Sequence, residues 1–462
     1  MSLGTPVYIV SAARTPIGSY LGTLSGASAP QLGAVAIKAA LERAKVGAEL
    51  VGEVFMGNVL SAGIGQAPAR QAMRFAGLPD QVPATTVSKV CGSGLQALVF
   101  GTKTIALGDA EIVVAGGMES MSNVPYYLDK ARQGYRMGNG TLVDGMIKDG
   151  LWDPYHDVHM GTCGDKCAAE YKVSREAQDE YAKESFRKAL AAQKEGHFAT
   201  EIAPVSIPQR KGDPIVVKDD EGPLKGDPSK FAKLSPAFAK DGTITAANAS
   251  SINDGASALV LASEAAVKKH NLAPIARVVG YGGAAQEPQW FTTAPAKAID
   301  TTNAKLGLKN SDIDLYEINE AFAVVSMVAA KLCNLDLAKV PGIRCFVINP
   351  PVINTGGRSR HRASQVTPRF APRGPVMERP STTPHAALSG VNTGRKFPVV
   401  PVEKSPPRLT IRVLFLGLPP ERSPAPRSGA FWAKRRRRLQ KIRRPPRRAL
   451  RGRGADQPCA AL

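Results

Sequence analysis

Short apolar runs alternate with helical repeats over the opening part of the chain. Residues 8–12 form a strand-like run, and apolar positions in residues 31–44 then recur at the spacing of an amphipathic helix. The alternation continues with strands at 51–59, 84–90 and 111–115 and helices at 67–76 and 91–107. Strands separated by helices of this length are typical of βαβ units, so the pattern predicts an α/β fold with a mostly parallel sheet.

The alternation breaks at Met118 and resumes near Ala276. Residues 118–244 mix glycine-, aspartate- and lysine-rich loops with one polar helix at 174–196, which indicates an inserted subdomain. The pattern then returns with strands at 276–280 and 314–318 and helices at 295–306 and 320–332. This order resembles that of the opening segment, so we expect two duplicated halves, of which the second stops early.

The composition changes abruptly after Val340. The last 122 residues hold 19 of the 36 prolines, and they hold 26 of the 60 basic residues against 4 of the 39 acidic ones. Frequent prolines interrupt helices and central strands, and a large excess of one charge opposes collapse. The sequence therefore predicts that residues 341–462 are a disordered, basic, Pro/Arg-rich tail.

The basic character of the chain belongs to this tail. The whole chain has a net charge of +21, whereas residues 1–340 have a net charge of −1. The body therefore gives no reason to expect nucleic-acid binding. Its opening residues show no secretory or mitochondrial leader, and no apolar run reaches the ~18 residues of a membrane helix, so we expect a cytosolic protein without a membrane partner.

Six cysteines in so long a chain are too few for a disulfide framework. Cys163 and Cys167 lie four residues apart, a spacing that a metal site could use. No second Cys/His pair follows at a suitable distance, so we expect two reduced thiols on one helix face and no metal.

Cys91 carries the strongest chemical signal in the chain. It follows a buried strand and precedes a helix that begins with Gly92, Ser93 and Gly94. Unpaired N–H groups at a helix N-terminus favour a thiolate and could also face a developing oxyanion. From these residues alone, Cys91 can be a nucleophile or a small packed side chain.

Six sequence blocks resemble those of the thiolase family. They occur in family order and at family spacing over residues 5–340, and the third and fourth favour the biosynthetic acetoacetyl-CoA branch. The blocks are S-A-A-R-T-P-I-G at 11–18, V-C-G-S-G-L-Q-A at 90–97, V-A-G-G-M-E-S-M-S at 114–122, H-M-G at 159–161, A-N-A-S at 247–250 with N-D-G-A at 253–256, and N-E-A-F at 319–322.

The resemblance implies a two-step acetyl transfer between CoA thioesters, without a further cofactor. Cys91 would carry the acetyl group, and Asn319 would hold a water that binds the thioester oxygen. The residues implied to line the pantetheine tunnel are Leu151, His159, Met160, Ser250, Ala321 and Phe322. Structural alternatives remain at three positions: Asn319 can cap the next helix, His159 can be a surface-loop residue, and Ser250 can belong to a turn.

The chain departs from the family after its N-E-A-F block. Its Gly-His-Pro and Cys-x-Gly-Gly-Gly blocks, which supply the histidine that activates the nucleophile and the cysteine that deprotonates the second substrate, have no counterpart. N-T-G-G at 354–357 begins like a family block but continues into the basic sequence R-S-R-H-R at 358–362. An out-of-frame or unspliced segment joined to a thiolase body explains this change. Residues 222–225 also lack the tyrosine of potassium-sensitive members, which puts a potassium site in doubt.

These observations predict a layered α-β-α-β-α thiolase fold with a truncated second half. The predicted N-terminal half comprises residues 1–117 and 245–272, and the inserted loop and CoA-binding subdomain comprises residues 118–244. An incomplete C-terminal half at 273–340 precedes the tail at 341–462. The family further implies a homo-oligomer, a dimer or a tetramer.

Three functions remain open from the sequence. The first is an acetyl-CoA C-acetyltransferase whose activity is impaired by the missing bases. The second is a non-catalytic, thiolase-like protein that binds CoA esters. The third is nucleic-acid or membrane-surface binding through residues 434–448, where only Phe431 and Trp432 provide neighbouring aromatic rings.

Overall fold

The computed structural model describes residues 5–340, and the sequence prediction for the tail at 341–462 lies outside them. The strands are β1 Val7–Arg14, β2 Gly18–Ser19, β3 Glu53–Gly57, β4 Ala84–Val87, β5 Ile112–Ser120, β6 Tyr126–Tyr127, β7 Val143–Asp144, β8 Trp152–Asp153, β9 Val158–His159, β10 Val205–Ile207, β11 Ile215–Val217, β12 Asn253–Ser263 and β13 Ala276–Val278. The helices are α1 Ala29–Ala44, α2 Pro68–Phe75, α3 Ser93–Leu107, α4 Met160–Tyr171, α5 Arg175–Lys194, α6 Gly222–Lys225, α7 Glu264–Lys269, α8 Ala294–Leu306 and α9 Ala323–Leu332. A π-helical turn spans Ile147–Leu151.

One large mixed sheet organises the described residues. Its strand order is β13-β1-β12-β5-β3-β4, and β2 pairs with β12. Only the β5-β3 and β3-β4 pairs are parallel, whereas β12 runs antiparallel to both β5 and β1. The expected βαβ units are therefore present in part of the sheet, but the prediction of a mostly parallel sheet is wrong. The cause is β12, a strand we did not predict, which enters the centre of the sheet from far along the chain.

Side chains of the central strands alternate between two helical layers. Val114 and Val260 lie in one apolar cluster with residues of α1 and α2, while Val113 and Leu259 lie in another cluster with residues of α3. Every residue of β5 and β12 is buried. Each large apolar side chain removed from water in this way contributes about 1.5–3 kcal/mol to folding. The result is a rigid platform with helices on both faces.

Among the described residues, one helical segment, Val90–Leu107, is long and apolar enough to cross a membrane. The helix within it is α3, whose Leu98 and Ile105 pack on the sheet in the protein core. Its apolar composition therefore has an ordinary structural explanation.

A buried ion network joins the inserted segment to β1. The guanidinium of Arg14 contacts Glu201 at 2.6 Å and both carboxylate oxygens of Asp220 at 2.7 and 2.9 Å. Burial opposes the charge on Arg14, but the two carboxylates more than compensate, so the pKa of Arg14 is raised. Because one guanidinium bridges two carboxylates from the inserted segment in hydrogen-bonded geometry, residues 118–244 are fixed to the first half at this point.

Residues 273–340 add helices and little sheet. Strand β13 joins the edge of the large sheet beside β1, and α8 and α9 form a small apolar cluster with Ile313, Tyr316 and Ile318. The strand expected at 314–318 is not formed, because this extended segment has no neighbouring strand to pair with in the part of the chain that the structure describes.

Candidate active site

Three parallel strands end at the same edge of the large sheet. Gly57 of β3 pairs with Val87 of β4 and with Gly117 of β5. The segment after β4 carries Cys91, the residue after β3 is Asn58, and Glu119 lies two residues beyond the paired position in β5. Crevices at the carboxyl ends of parallel strands are where α/β proteins bind ligands. The cysteine identified from the sequence therefore lies at the expected edge.

The loop that presents Cys91 is held in an unusual backbone conformation. Val90 has a φ of 46°, a left-handed conformation that a β-branched residue adopts only when its surroundings impose it, at about 1–3 kcal/mol. The hydroxyl of Ser93 accepts a hydrogen bond from the Lys89 N–H at 2.7 Å and donates one to the Val90 carbonyl at 2.6 Å. These bonds close the loop and leave Cys91 exposed at its tip.

The loop uses two N–H groups next to Cys91 for its own hydrogen bonds. The N–H groups of Gly92 and Ser93 donate to the carbonyls of Lys89 and Val90, each at 3.1 Å. Helix α3 begins at Ser93, two residues after Cys91. The tight turn before the helix therefore uses the donors of Gly92 and Ser93, and an oxyanion site at this helix N-terminus stays a prediction.

The start of α3 approaches β3 very closely. A methyl group built on Gly57 would lie 2.6 Å from the Gly94 nitrogen and 2.7 Å from the Ser93 carbonyl carbon. Both neighbours are backbone atoms, which cannot rotate away. Glycine at position 57 therefore sets the distance between the sheet and the nucleophile loop.

The thiol of Cys91 has a high proton affinity in this setting. Surrounding protein atoms raise the pKa of Cys91 to about 11, its own backbone hydrogen bond opposes the rise, and the carboxylate of Glu119 adds to it. The expected lowering of the pKa by the helix N-terminus is thus outweighed. At neutral pH this raised pKa favours the thiol over the thiolate. Cys91 is accessible, but it needs a base to react quickly.

Sequence reasoning missed Glu119 and Asn58 as parts of this site. The buried Glu119 carboxylate accepts hydrogen bonds from the Asn58 side chain at 2.7 Å and from the N–H groups of Val59 and Leu60 at 2.9 and 3.1 Å. Both residues are nine-tenths or more buried, and the Asn58 Oδ1 accepts no hydrogen bond from the described residues. Glu119 lies inside the family block at 114–122, so the sequence could have singled it out. Nothing in the sequence indicates its contact with Asn58, the residue after β3.

A second group of predicted residues forms around Phe238. The ring of His159 stacks on Phe238 with centroids 4.4 Å apart and meets Trp152 edge-on at 6.5 Å. The Nδ1 of His159 accepts a hydrogen bond from the Gly161 N–H at 3.0 Å, and burial lowers the pKa of the ring. His159 is therefore a neutral helix cap with its Nε2 proton free to donate, and the alternative of an unconstrained surface histidine is wrong.

Gly161 makes this stacking possible. A methyl group on Gly161 would lie 2.1 Å from the Phe238 ring. Phe238 also packs in an apolar cluster with Phe322 and Ala321. The ring therefore links His159 to two further residues of the predicted pantetheine tunnel.

The structure brings Ser250, Ala321 and Phe322 together from distant parts of the sequence. The Ser250 N–H donates to the Ala321 carbonyl at 2.9 Å, and Ala249 forms a β-bridge with Phe322. The residue after them, Ala323, donates to the Asn248 carbonyl at 2.8 Å. The family blocks at 247–250 and 319–322, about seventy positions apart in the sequence, therefore lie side by side in the fold.

The remaining predicted residues lie on three other segments. Met160 opens α4 directly after His159, and Leu151 ends the π-helical turn, where Gly150 approaches Leu60. The buried Nδ2 of Asn319 has no hydrogen-bond partner among the described residues. Asn319 does not cap the following helix, because α9 begins at Ala323 after Phe322, so that alternative is wrong. Within residues 5–340, no hydrogen bond joins Asn319 to Cys91.

Cys163 and Cys167 are both buried on α4, as expected for thiols on one helix face. Burial raises the pKa of both groups, for Cys163 to about 11. The residues that the structure describes contain no cluster of three His, Cys, Asp or Glu side chains suited to a metal ion.

Comparisons with known proteins agree with the sequence blocks. The family description "Thiolase, N-terminal domain" matches residues 7–265, and "Thiolase, C-terminal domain" matches residues 272–349. The chain is 53% identical over 336 residues to acetyl-CoA acetyltransferase 2 of Arabidopsis thaliana, covering 72% of this chain and 83% of the relative. It is 52% identical over 332 residues to the cytosolic acetyl-CoA acetyltransferase ERG10 of Gibberella zeae, covering 72% and 84%.

The fold agrees with a solved structure. Acat5 thiolase from Ascaris suum, crystallised in complex with coenzyme A, superposes with a TM-score of 0.70 at 43% sequence identity. The match covers 74% of this chain and 88% of that protein. The predicted α/β thiolase-like fold is therefore confirmed. Together with the nucleophile loop at the edge of the sheet, these matches show that the chain is an acyltransferase that belongs to the thiolase family.

Proposed function

We propose that this chain is a thiolase of the acetyl-CoA acetyltransferase type, in which Cys91 carries an acetyl group between two acetyl-CoA molecules. The observation that carries the proposal is the exposed Cys91 thiol on a closed loop at the carboxyl edge of the sheet. The names of the two relatives above support acetyl-CoA as the substrate.

The reaction proceeds through an acetyl-cysteine intermediate. The Cys91 thiolate attacks the thioester carbon of the first acetyl-CoA, the bond to the CoA sulfur breaks, and CoA leaves and takes up a proton. A base removes a proton from the methyl carbon of the second acetyl-CoA. The carbanion attacks the acetyl carbon on Cys91, and cleavage of the bond to the cysteine sulfur releases acetoacetyl-CoA and the thiolate.

The residues around Phe238 supply the binding surface in this proposal. A neutral His159 with a proton on Nε2 can donate a hydrogen bond to the substrate, while Leu151, Met160, Ala321 and Phe322 give the pantetheine arm an apolar wall. Ser250 stands beside Ala321 and offers a hydroxyl group. Asn319 holds the water that binds the thioester oxygen, and its buried amide nitrogen, which has no hydrogen-bond partner within residues 5–340, donates to that water.

We further propose that the chain is an impaired enzyme. The raised pKa of Cys91 makes a base necessary, and the sequence lacks the Gly-His-Pro and Cys-x-Gly blocks that supply the bases in the family. Loss of one positioned acid or base typically costs about 10²–10⁴ in rate. Acetylation of Cys91 should then be slow and condensation slower still.

The test is to incubate the full chain with acetyl-CoA at pH 7 and pH 9 and to locate acetyl groups by peptide mass mapping. We expect acetyl-Cys91, formed faster at pH 9, and no acetylation of Cys163, Cys167 or Cys333, which are buried. The Cys91→Ala variant should lose the label, and Cys333→Ala should keep it. An unlabelled Cys91 at both pH values in folded protein would contradict the proposal.

The second candidate is a non-catalytic protein that binds CoA esters. The missing bases favour it, because binding requires only the walls around Phe238. The same samples separate the two functions when acetoacetyl-CoA is also measured. Acetyl-Cys91 with slow acetoacetyl-CoA formation identifies an impaired thiolase, whereas CoA-ester binding without any acetoacetyl-CoA identifies the binding protein.

The properties around this activity are also proposals. We propose a homo-oligomer, a dimer or a tetramer, that works without a further cofactor in the cytosol, the location named for the Gibberella zeae relative. Potassium should have no effect, because residues 222–225 form helix α6, whose Lys225 ammonium is paired with Glu221. Size-exclusion chromatography, cell fractionation and acetylation rates in potassium and sodium salts test these points.

A further inference from the structure

We infer that Glu119 is a positioning residue for Cys91: its buried carboxylate ties the end of β3 to the end of β5 and holds a fixed negative charge beside the nucleophile loop. The inference rests on the proposed function only in taking Cys91 as the nucleophile. Its first ground is geometric. Glu119 accepts hydrogen bonds from three donors in residues 58–60, immediately beyond the strand on which α3 packs.

The same carboxylate connects the nucleophile loop to the predicted substrate wall. Leu60, whose N–H donates to Glu119, is the residue that Gly150 of the π-helical turn approaches, and that turn ends at Leu151. The Asn58 N–H donates to the Val87 carbonyl at 3.0 Å at the end of β4, shortly before Cys91. The Glu119 carboxylate therefore fixes residues 58–60, which contact both the end of β4 before Cys91 and the turn that ends at Leu151.

The charge of Glu119 is the second ground. Three other charged groups on the surrounding elements have contacts of their own: Lys89 donates to Gln96, Lys103 lies 5.5 Å from the Tyr281 ring centroid, and Asp149 accepts from Tyr127. The Glu119 carboxylate adds to the rise in the pKa of the Cys91 thiol that burial causes. A negative charge at this position disfavours a free thiolate and keeps the resting cysteine in the thiol form.

The experiment measures the rate of Cys91 alkylation by iodoacetamide in the full chain as a function of pH. In Glu119→Gln the charge is removed, so we expect the reaction to be about three to ten times faster at pH 8 and its midpoint to move to lower pH. The matched control is Glu53→Gln, the same change at the opposite end of β3, about 13 Å from Gly57. Its Cys91 profile should equal that of the unaltered chain.

A purely structural role of Glu119 predicts a different outcome. Asn58→Ala removes one hydrogen bond of the carboxylate but keeps its charge. We expect Asn58→Ala to leave the midpoint of Cys91 unchanged. Equal acceleration in Glu119→Gln and Asn58→Ala would show that only the hydrogen bonds of the carboxylate matter, and an unchanged profile in folded Glu119→Gln would show no influence of the charge. Either result overturns the inference.

Two further measurements keep the inference testable and separate it from the proposed function. If Glu119→Gln does not fold, the unaltered chain decides, since a Cys91 midpoint at or below about 8.5, the ordinary cysteine value, contradicts a negative charge that disfavours the thiolate. Acetylation by acetyl-CoA is measured in parallel. A shifted alkylation midpoint without any acetyl-Cys91 would support the role of Glu119 and reject the thiolase reaction.

Discussion

The two predicted halves of the thiolase fold differ in how far the described residues complete them. The first supplies β1, β3, β4, β5 and β12 to one sheet with helices on both faces. Residues 273–340 supply one short strand, which joins that same sheet, and place Asn319 on an extended segment without a strand partner. The platform for the nucleophile is thus built within the described residues, whereas Asn319 lies where sheet pairing is missing.

Two carboxylates, one in the inserted segment and one in residues 273–340, show a similar contrast in electrostatic terms. Burial raises the pKa of Glu221, but hydrogen bonds from Lys225, Thr23 and Ser19 outweigh it and lower the pKa to about 2. For Glu317, burial and the charge of Glu320 together raise the pKa to about 8. A group with donors around it is stabilised in its charged form, and one that lacks them is stabilised as the neutral acid. Three changes test this comparison: completing the second half, breaking the ion network of Arg14 and titrating Glu317.

The largest effect should come from completing the second half. When residues 341–462 are replaced by a segment with the family's Gly-His-Pro and Cys-x-Gly blocks, acetoacetyl-CoA thiolysis should rise by about 10⁴ or more, because two bases are gained. Steady-state thiolysis of both purified chains checks this. Near-normal activity of the 462-residue chain would show that bases exist outside the recognised blocks.

Breaking the ion network of Arg14 should cost the first half a large part of its stability. Arg14→Ala leaves Glu201 and Asp220 buried without their partner, so the free energy of unfolding should fall by about 3–5 kcal/mol. Urea unfolding followed by circular dichroism measures the change. Arg187→Ala, which breaks an exposed pair with Glu184, is the control and should leave stability unaltered. Equal losses in both variants would remove the distinction between buried and exposed pairs.

Titration of Glu317 should make the second half sensitive to alkaline conditions. Its folded-state pKa of about 8 exceeds the ordinary value of 4.5, so the folded chain binds more protons than the unfolded chain between these values. Stability is then fully present below pH 4.5 and falls by roughly 2–4 kcal/mol as the pH rises through 8. Denaturant unfolding at several pH values should show a flatter profile for Glu317→Gln. The same slope in both proteins would contradict the raised pKa.

Gly57→Ala should disturb the contact between β3 and the nucleophile helix by a smaller amount. The added methyl group meets backbone atoms of Ser93 and Gly94, so we expect a loss of about 1–3 kcal/mol in unfolding free energy and slower acetylation of Cys91. Gly283→Ala is a matched control, because its methyl group would meet only the Lys89 Nζ at 4.0 Å. If the two variants have the same stability, the close approach at Gly57 is not a constraint.

The sequence by itself determined the family and the fold class, and it singled out Cys91 as the candidate nucleophile. These follow from local information, since the blocks around Cys91, His159 and Asn319 are continuous in the chain. Helical periodicity likewise predicted α1, α2, α3 and α8 to within a few residues. The roles of the predicted site residues stay predictions.

Tertiary structure alone decided the features that depend on distant segments meeting. Pairing of β12 with β5 and β1 made the sheet mixed, and no strand among residues 5–340 pairs with residues 314–318, which therefore lack strand structure. The contact of Asn58 with Glu119 joins residues 61 positions apart, and no periodicity within either segment encodes it. The proton affinity of Cys91 was also beyond sequence reasoning, because the helix N-terminus is visible in the sequence while the surrounding protein and the carboxylate that outweigh it are not.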